Sequence, residues 1–367
     1  MKVKNRKELF EHLENIMART YEKIKEEGKL EYEQNLLKSF IIESNEPNLN
    51  SLKQSQSKEF KVDIFPTEDK TLHVLNISLK EKKKAVFYVD SFNPRFWIFH
   101  TTSKSILVNT IIKKLVGVIG GKLDHPWLYT NFLDTIRKES TQVRGTGIQY
   151  KYGDVFPDEN QEVEEFSMRI WGSMAQNIIE QLRRSSQLKH TLTLSSIGIK
   201  QVYNNDFVIE DITYWGRFLA RGTSIQAHLE VVENIQKKYQ SILSQIEKER
   251  ITYKKREHSI KIEGRPLLIT FKKKIEDLNK FLEVVVSSKI PFRLWGIKTF
   301  IEKDFALVVG IDLHNGDKFS MEVTPVWIRF YLPEGACGNT VIRLVTNLQK
   351  YYDADTKLEG IENGRII

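Results

Sequence analysis

The longest helical pattern in the sequence separates two stretches that are rich in short strand patterns. Over residues 224–257, apolar residues recur at three- and four-residue spacing with charged residues between them, which is typical of an amphipathic helix. On either side, β-branched and aromatic residues form short runs bounded by turn residues, which is typical of strands. We therefore predict an α+β fold, with two mixed strand and helix lobes joined by a long helix and an N-terminal helical layer.

The same patterns predict the domain boundaries. Helical spacing between Leu9 and Ile24, followed by a second helical pattern over 30–42, predicts an N-terminal helical segment. A stretch rich in Ser, Asn and Gln over 44–57 indicates a linker. The predicted parts are the N-terminal segment over 1–50, a first α+β lobe over 58–222, the connecting helix over 223–258 and a second α+β lobe over 259–367.

Within the lobes, individual elements can be predicted. The first lobe begins with four strand patterns that predict a meander, over 60–65, 72–79, 84–90 and 96–100. A helix is predicted over 164–185. In the second lobe, Asn315-Gly316 lies between two strand patterns and predicts a hairpin turn, because both residue types tolerate positive φ.

Charge and cysteine content narrow the classes of function. The net charge of +8 and the pI near 9.1 favour polyanionic partners. The single cysteine, Cys337, excludes an intramolecular disulfide framework and a cysteine-cluster zinc site, and it fits a reducing, cytoplasmic compartment. No apolar run reaches the roughly 20 residues of a membrane-spanning helix, so we predict no membrane partner.

The common catalytic motifs are missing from the sequence. It has no phosphate-binding P-loop, no HExxH, no GxSxG and no dinucleotide-binding glycine pattern. Asp312 and Glu322 lie on the two arms of the predicted hairpin, and we interpret them as solvated acids at strand edges rather than as metal ligands. We therefore predict no catalytic residue, no metal and no cofactor.

An alternative reading is a ribonuclease or toxin that uses Arg184 and His190. An Arg followed by a His a few residues later resembles the signature of HEPN-type ribonucleases, in which the imidazole exchanges protons and the arginine stabilises phosphate charge. The pair precedes strand patterns here, whereas HEPN domains are all helical. We therefore favour a structural role at a helix end, where cations are stabilised by the helix dipole.

Basic residues form the strongest local signal for binding. Over the 21 residues 254–274, eight cations face only two acids, Glu257 and Glu263, and such a cluster can contact several phosphates without reading base sequence. Three further cations lie near predicted helix starts, where anions are stabilised. The predicted nucleic-acid-binding residues are Lys254, Lys255, Arg256, Lys261, Arg265, Lys272, Lys273, Lys274, Arg95, Lys104 and Arg343.

Three short strings carry a family resemblance. They are FNPRFWIFHT over 92–101, LDHPWL over 123–128 and RGTGIQY over 144–150. Over about residues 60–203 the chain resembles the APAZ-type proteins that accompany short prokaryotic Argonautes. The resemblance implies a chain that pairs with a short Argonaute and helps to hold guide and target strands in defence against foreign DNA. Family members often carry an N-terminal nuclease or NAD-consuming domain, which the short N-terminal segment here does not match.

The leading hypothesis is therefore a non-catalytic nucleic-acid-binding subunit that is a partner of a short Argonaute. The HEPN-like ribonuclease or toxin is one alternative. A protein-interaction scaffold, whose lysines serve only solubility, is the other.

Overall fold

A computed structural model describes residues 3–27, 36–46, 48–53, 60–79, 83–118, 122–156, 165–172, 174–185, 188, 190–256 and 259–359. The helices are α1 (Arg6–Glu27), α2 (Ser105–Val116), α3 (Thr130–Glu139), α4 (Ala175–Arg183), α5 (Ile225–Lys248), α6 (Leu278–Val285) and α7 (Asn339–Tyr351), with a short 3-10 helix at Leu49–Lys53.

The strands are β1 (Leu37–Ser44), β2 (Phe60–Pro66), β3 (Leu72–Leu79), β4 (Lys84–Asp90), β5 (Phe96–Thr101), β6 (Leu123–Asp124), β7 (Gln142–Lys151), β8 (Glu165–Trp171), β9 (Leu194–Tyr203), β10 (Asp206–Thr213), β11 (Arg217–Gly222), β12 (Thr252–Arg256), β13 (Ser259–Glu263), β14 (Leu267–Thr270), β15 (Leu294–Glu302), β16 (Phe305–Asp312), β17 (Lys318–Val323), β18 (Trp327–Tyr331) and β19 (Lys357–Glu359). The mixed set confirms the predicted α+β class.

The chain divides into two compact units, each assembled from separate segments. Unit 1 consists of Met1–Pro126, Arg137–Arg144 and Ile197–Gln236, and unit 2 consists of Trp127–Ile136, Gly145–Ser196 and Lys237–Ile367. The boundary in the C-terminal half falls inside α5. The structure thus divides the chain differently from the predicted succession of segments.

Unit 1 is built on a twisted sheet in which β1 is central. Its strands follow the order β2-β3-β4-β5-β1-β11-β10-β9, with β6 also paired to β1. The predicted meander of β2 to β5 is confirmed, with antiparallel pairing throughout. Helix α2 covers one sheet face, because Val108, Ile112 and Leu115 pack in the same buried cluster as Phe40 and Phe99. Alternation along the strands sends Ser39 and His100 to the opposite face.

Unit 2 contains a six-stranded sheet in the order β15-β16-β17-β18-β14-β19. One face is apolar and buried, with Val308, Met321 and Phe330 among its residues, and α7 is buried along nearly its whole length. The hairpin turn predicted at Asn315-Gly316 joins β16 to β17, and Gly316 has a φ of +83°.

Three helix predictions are wrong in part. Residues 37–44 form β1, where Lys38 and Glu43 are buried polar residues that break the strand pattern in the sequence. The helix predicted over 164–185 is strand β8 followed by α4, which starts only at Ala175. Helix α5 ends at Lys248, so the basic residues from Lys254 lie on strands instead of on the helix end.

Among the described residues, every helix is either too short or too polar to cross a membrane.

Candidate nucleic-acid interface

The predicted basic cluster begins on a two-stranded hairpin formed by β12 and β13. The antiparallel register pairs Lys254 with Lys261 and Thr252 with Glu263. Because alternate residues of a strand share a face, these four residues belong to one face of the hairpin. Two lysines directly opposite each other repel, so this face needs a negative partner.

Glu263 supplies part of that negative charge. Its two carboxylate oxygens lie 2.6 Å from Lys254 Nζ and 2.7 Å from Lys261 Nζ. Hydrogen bonds from these ammonium groups lower the pKa of Glu263 to about 2, so the carboxylate is ionised at neutral pH. One carboxylate shared between two lysines leaves the face with an excess of positive charge.

The opposite face of the hairpin is apolar and exposed. Tyr253, Ile260 and Ile262 are 66%, 63% and 62% exposed, and Lys255 lies across from Ile260 in the register. The hairpin therefore has one cationic face and one apolar face, both exposed. We call its two strands, residues 252–256 and 259–263, the basic arm.

The root of the basic arm is fixed to the six-stranded sheet. The Ile251 N–H donates to the Leu332 carbonyl at 2.7 Å, and the Glu334 N–H donates to the Ile251 carbonyl at 3.1 Å, immediately after β18. At the other end Gly264 has a φ of +92°, and a Cβ there would lie 2.2 Å from the Arg250 carbonyl oxygen. The arm thus leaves the sheet at a defined point.

The remaining cations of the predicted cluster lie outside the arm. Arg265 makes a bidentate ion pair with Glu249, at 2.7 and 3.1 Å. Lys272 and Lys274 follow β14 and have exposed side chains. The ammonium of Lys273 lies 4.0 Å from the ring centroid of Tyr152, which is a cation–π distance.

Sequence reasoning missed a second exposed surface, on the open face of the six-stranded sheet. Trp295, Ile297 and Val309 are exposed there, and the register aligns Ile297 with Val309 on neighbouring strands. On the same face Arg329 lies over the Trp327 ring at 4.7 Å. The sequence did indicate this surface, since β15 and β16 carry apolar residues at successive positions and therefore on both faces of the sheet. Contiguous exposed apolar surface of this kind is typical of protein-binding sites.

Comparison with known proteins identifies the family. The model of the MJECL33-like protein family matches residues 1–367, the full chain. The chain belongs to the MJECL33-like family. One relative, the uncharacterised protein MJECL33 of Methanocaldococcus jannaschii, is 34% identical over 404 aligned residues, which cover 100% of this chain and 96% of the relative. No solved structure matches the chain.

Of the three predicted phosphate-binding residues near helix starts, Arg343 and Arg95 form ion pairs within this MJECL33-like protein and Lys104 is exposed. Arg343 is buried in α7, where its Nη2 lies 2.5 Å from Asp312 and its Nε donates to the Phe292 carbonyl. Its predicted phosphate contact is therefore wrong, because its guanidinium is not at the surface. Arg95 pairs with Glu43 at 2.7 Å, whereas Lys104 is exposed at the start of α2.

The structure pairs three of the residues considered for catalysis or metal binding, His190, Asp312 and Glu322, with other side chains. Helix α4 ends at Arg183, so the prediction that His190 lies at a helix end is wrong. Instead, His190 Nδ1 lies 2.8 Å from an Asp355 oxygen. Asp312 is buried against Arg343 and Thr340, so the prediction of a solvated acid is wrong for it. Glu322 pairs with Arg329.

A buried polar chain in unit 1 was missed by sequence reasoning. Ser39 Oγ lies 2.7 Å from His100 Nδ1 and 2.7 Å from His228 Nε2, and His228 Nδ1 lies 2.5 Å from Glu210. The order serine, histidine, glutamate matches that of hydrolase triads. All four side chains are buried, so the hydroxyl of Ser39 has no exposure to a substrate. No pattern in the sequence links these residues, because they come from β1, β5, β10 and α5.

Proposed function

We propose that this MJECL33-like protein is a non-catalytic nucleic-acid-binding subunit whose basic arm holds the sugar-phosphate backbone. The observation that carries the proposal is the register of the arm, which gathers the exposed side chains of Lys254 and Lys261 on one face of the hairpin. Lysines contact phosphates as point charges, and phosphate contacts carry no information about base sequence. Binding is therefore largely independent of base sequence.

The charge balance supports this role over a solubility role. Glu263 neutralises only part of the charge of Lys254 and Lys261, and Lys255 lies on the apolar face beside exposed isoleucines. A hairpin that served solubility alone would not need an exposed apolar face, which favours association. Lys272 and Lys274, with exposed side chains after β14, are further candidates for phosphate contacts in the same unit.

The test replaces Lys254, Lys255, Arg256 and Lys261 with glutamine in the full chain. Binding to a labelled 20-base-pair DNA duplex and to its single strands is measured by fluorescence anisotropy from 50 to 200 mM salt. The substitutions remove up to four phosphate contacts, so they are expected to weaken affinity and to reduce the magnitude of the log–log salt slope by about 3 to 4. Thermal stability should change little, because exposed ion pairs contribute at most about 1 kcal/mol each.

A matched control separates the arm from net charge. Replacing Lys7, Lys113, Lys289 and Lys303 with glutamine removes four exposed cations elsewhere and should leave the salt slope close to that of the parent. Equal affinity and slope in the parent and in the arm variant would reject the proposal. Equal losses in both quadruple variants would show that net charge, rather than the arm, governs binding.

A protein partner fits the subunit role. The open face with Trp295, Ile297 and Val309 favours association with another protein. The pairing with a short Argonaute stays a prediction, and co-expression followed by size-exclusion chromatography tests it.

A further inference from the structure

Three side chains with metal-ligating atoms converge in unit 2, in a place that the proposed function does not use. His190 Nδ1 lies 2.8 Å from Asp355 Oδ2 and 3.8 Å from Asp353 Oδ1. One ligand atom from each residue lies within 4.8 Å of the other two. The three residues come from the segment before β9 and from the loop after α7.

Backbone groups hold Asp353 in a fixed orientation. Its Oδ2 accepts hydrogen bonds from the N–H groups of Lys272 and Lys273 at 2.7 and 2.8 Å, and its Oδ1 accepts one from the Asp355 N–H at 2.9 Å. The carboxylate is fully buried, so these bonds set its direction before any ligand arrives. Ligating carboxylates in metal sites are oriented by hydrogen bonds of this kind.

The histidine is anchored to the same loop. The Ala354 N–H donates to the His190 carbonyl at 2.9 Å, which holds the imidazole beside both carboxylates. The side chains of His190 and Asp355 are 30% and 45% exposed. An ion can therefore reach the cluster from solvent, and water can complete its coordination.

We propose that His190, Asp353 and Asp355 form a binding site for a divalent transition ion of the Zn²⁺ type. Bonds of about 2.1 Å in tetrahedral geometry place ligand atoms about 3.4 Å apart, and the separations from His190 Nδ1, 2.8 and 3.8 Å, lie on either side of that value. Imidazole nitrogen favours Zn²⁺ over Mg²⁺, which prefers oxygen ligands in octahedral geometry.

The competing explanation is an ion-free cluster in which His190 Nδ1 forms a hydrogen bond with Asp355 and lies close to Asp353. Both explanations use the same distances. They differ in whether added Zn²⁺ binds at one site per chain and in whether His190 and Asp355 determine that binding.

The experiment is isothermal titration calorimetry of Zn²⁺ into the chelator-treated full chain at pH 7.5, with Mg²⁺ titrated separately. One Zn²⁺ per chain is expected, with no comparable Mg²⁺ binding. His190→Gln and Asp355→Asn should each weaken the affinity for Zn²⁺ by about 10-fold or more. Both variants should fold, because the side chains of His190 and Asp355 are partly exposed, and their melting temperatures without metal check this.

A double variant with His12→Gln and Asp63→Asn serves as the control, since it changes the same residue types in unit 1 and should keep the affinity of the parent. Three results would each overturn the proposal. They are no Zn²⁺ binding to the parent, equal affinity in the parent and the site variants, and Mg²⁺ binding as strong as that of Zn²⁺. The first two would leave the cluster as an ion-free anchor of the loop, and the third would contradict the assigned class of ion.

Discussion

At the scale of single residues, one serine hydroxyl links two buried histidines in unit 1. His228 Nδ1 shares a short hydrogen bond with Glu210, and burial raises the pKa of that carboxyl. The Ser39 hydroxyl lies between His228 Nε2 and His100 Nδ1, and it can donate its proton to one of these nitrogens while it accepts from the other. Burial lowers the pKa of His100 to about 3 and keeps this imidazole neutral. Each member of the chain depends on its neighbours.

Ser39→Ala tests how much this chain stabilises the fold. The change removes the shared hydroxyl and leaves His228 Nε2 and His100 Nδ1 without the partner that they share. A buried polar group without a hydrogen bond costs about 1–3 kcal/mol, so we expect a loss of about 2–5 kcal/mol in the free energy of unfolding, measured with urea. Ser244→Ala, on the exposed side of α5, should change it by less than about 0.5 kcal/mol. Equal effects of the two substitutions would contradict this account.

The depressed pKa of His100 predicts a loss of stability in acid. In the unfolded chain this imidazole titrates near 6.5, whereas in the fold it stays neutral down to about pH 3, first because of burial and then because of His228 and Arg6. Between these values the unfolded chain binds the extra proton. The stability contribution is complete above pH 6.5 and decreases as the pH falls, by up to about 1.4 kcal/mol per pH unit.

The raised pKa of Glu210 has the opposite effect on stability, which it increases as the pH falls. A comparison of the parent with a His100 variant therefore isolates the contribution of His100. His100→Gln keeps a polar partner for Ser39 and removes the titrating imidazole. Urea unfolding at pH 7, 6, 5 and 4 should show a steeper loss of stability in the parent than in this variant. The same pH dependence in both proteins would mean that His100 does not control the acid response.

At the scale of elements, the success of sequence reasoning depended on how each element is buried. Strands β2 to β5 were predicted because alternating apolar residues mark half-buried strands, and the turn at Asn315-Gly316 because its residue types tolerate positive φ. Strand β1 was missed, since it is buried along its whole length and carries Lys38 and Glu43 inside. The spacing of apolar residues along the sequence cannot reveal a strand that is buried on both faces, because that burial depends on the tertiary fold.

The cations of the proposed interface could be picked out by charge, but their geometry could not be predicted. Lys254 and Lys255 lie on residues expected to extend a helix, and Lys261 follows that helix in the predicted second lobe. The structure places all three on a hairpin, where the cross-strand register decides which cations share a face. Arg343 was misassigned because a cation one turn inside a helix gives no sign in the sequence of its buried partner Asp312. The site of His190 with Asp353 and Asp355 needed the fold, since about 160 residues separate its two segments.

At the scale of the whole molecule, positive charge is spread more widely than the basic arm. The net charge of +8 attracts polyanions at long range and accelerates encounter, but diffuse charge gives little affinity once salt screens it. Affinity that persists in salt needs cations that lie close together, contact several phosphates and release the counterions of the nucleic acid. The proposed function therefore predicts a salt slope set by the arm and not by the total charge.

The unmodified protein should bind nucleic acid with strong salt dependence and little base preference. With about four phosphate contacts in the arm, the association constant for duplex DNA should fall about 10²-fold between 50 and 200 mM salt, and Lys272 and Lys274 would steepen this if they take part. Two 20-base-pair duplexes, one rich in A·T pairs and one in G·C pairs, should bind within about threefold of each other, because lysines contact phosphates in both. Anisotropy titrations at four salt concentrations measure both quantities. A flat salt dependence would remove the electrostatic basis of the proposal. A steep salt dependence with a large preference for one duplex would mean that the protein reads base edges and that residues outside the arm belong to the interface.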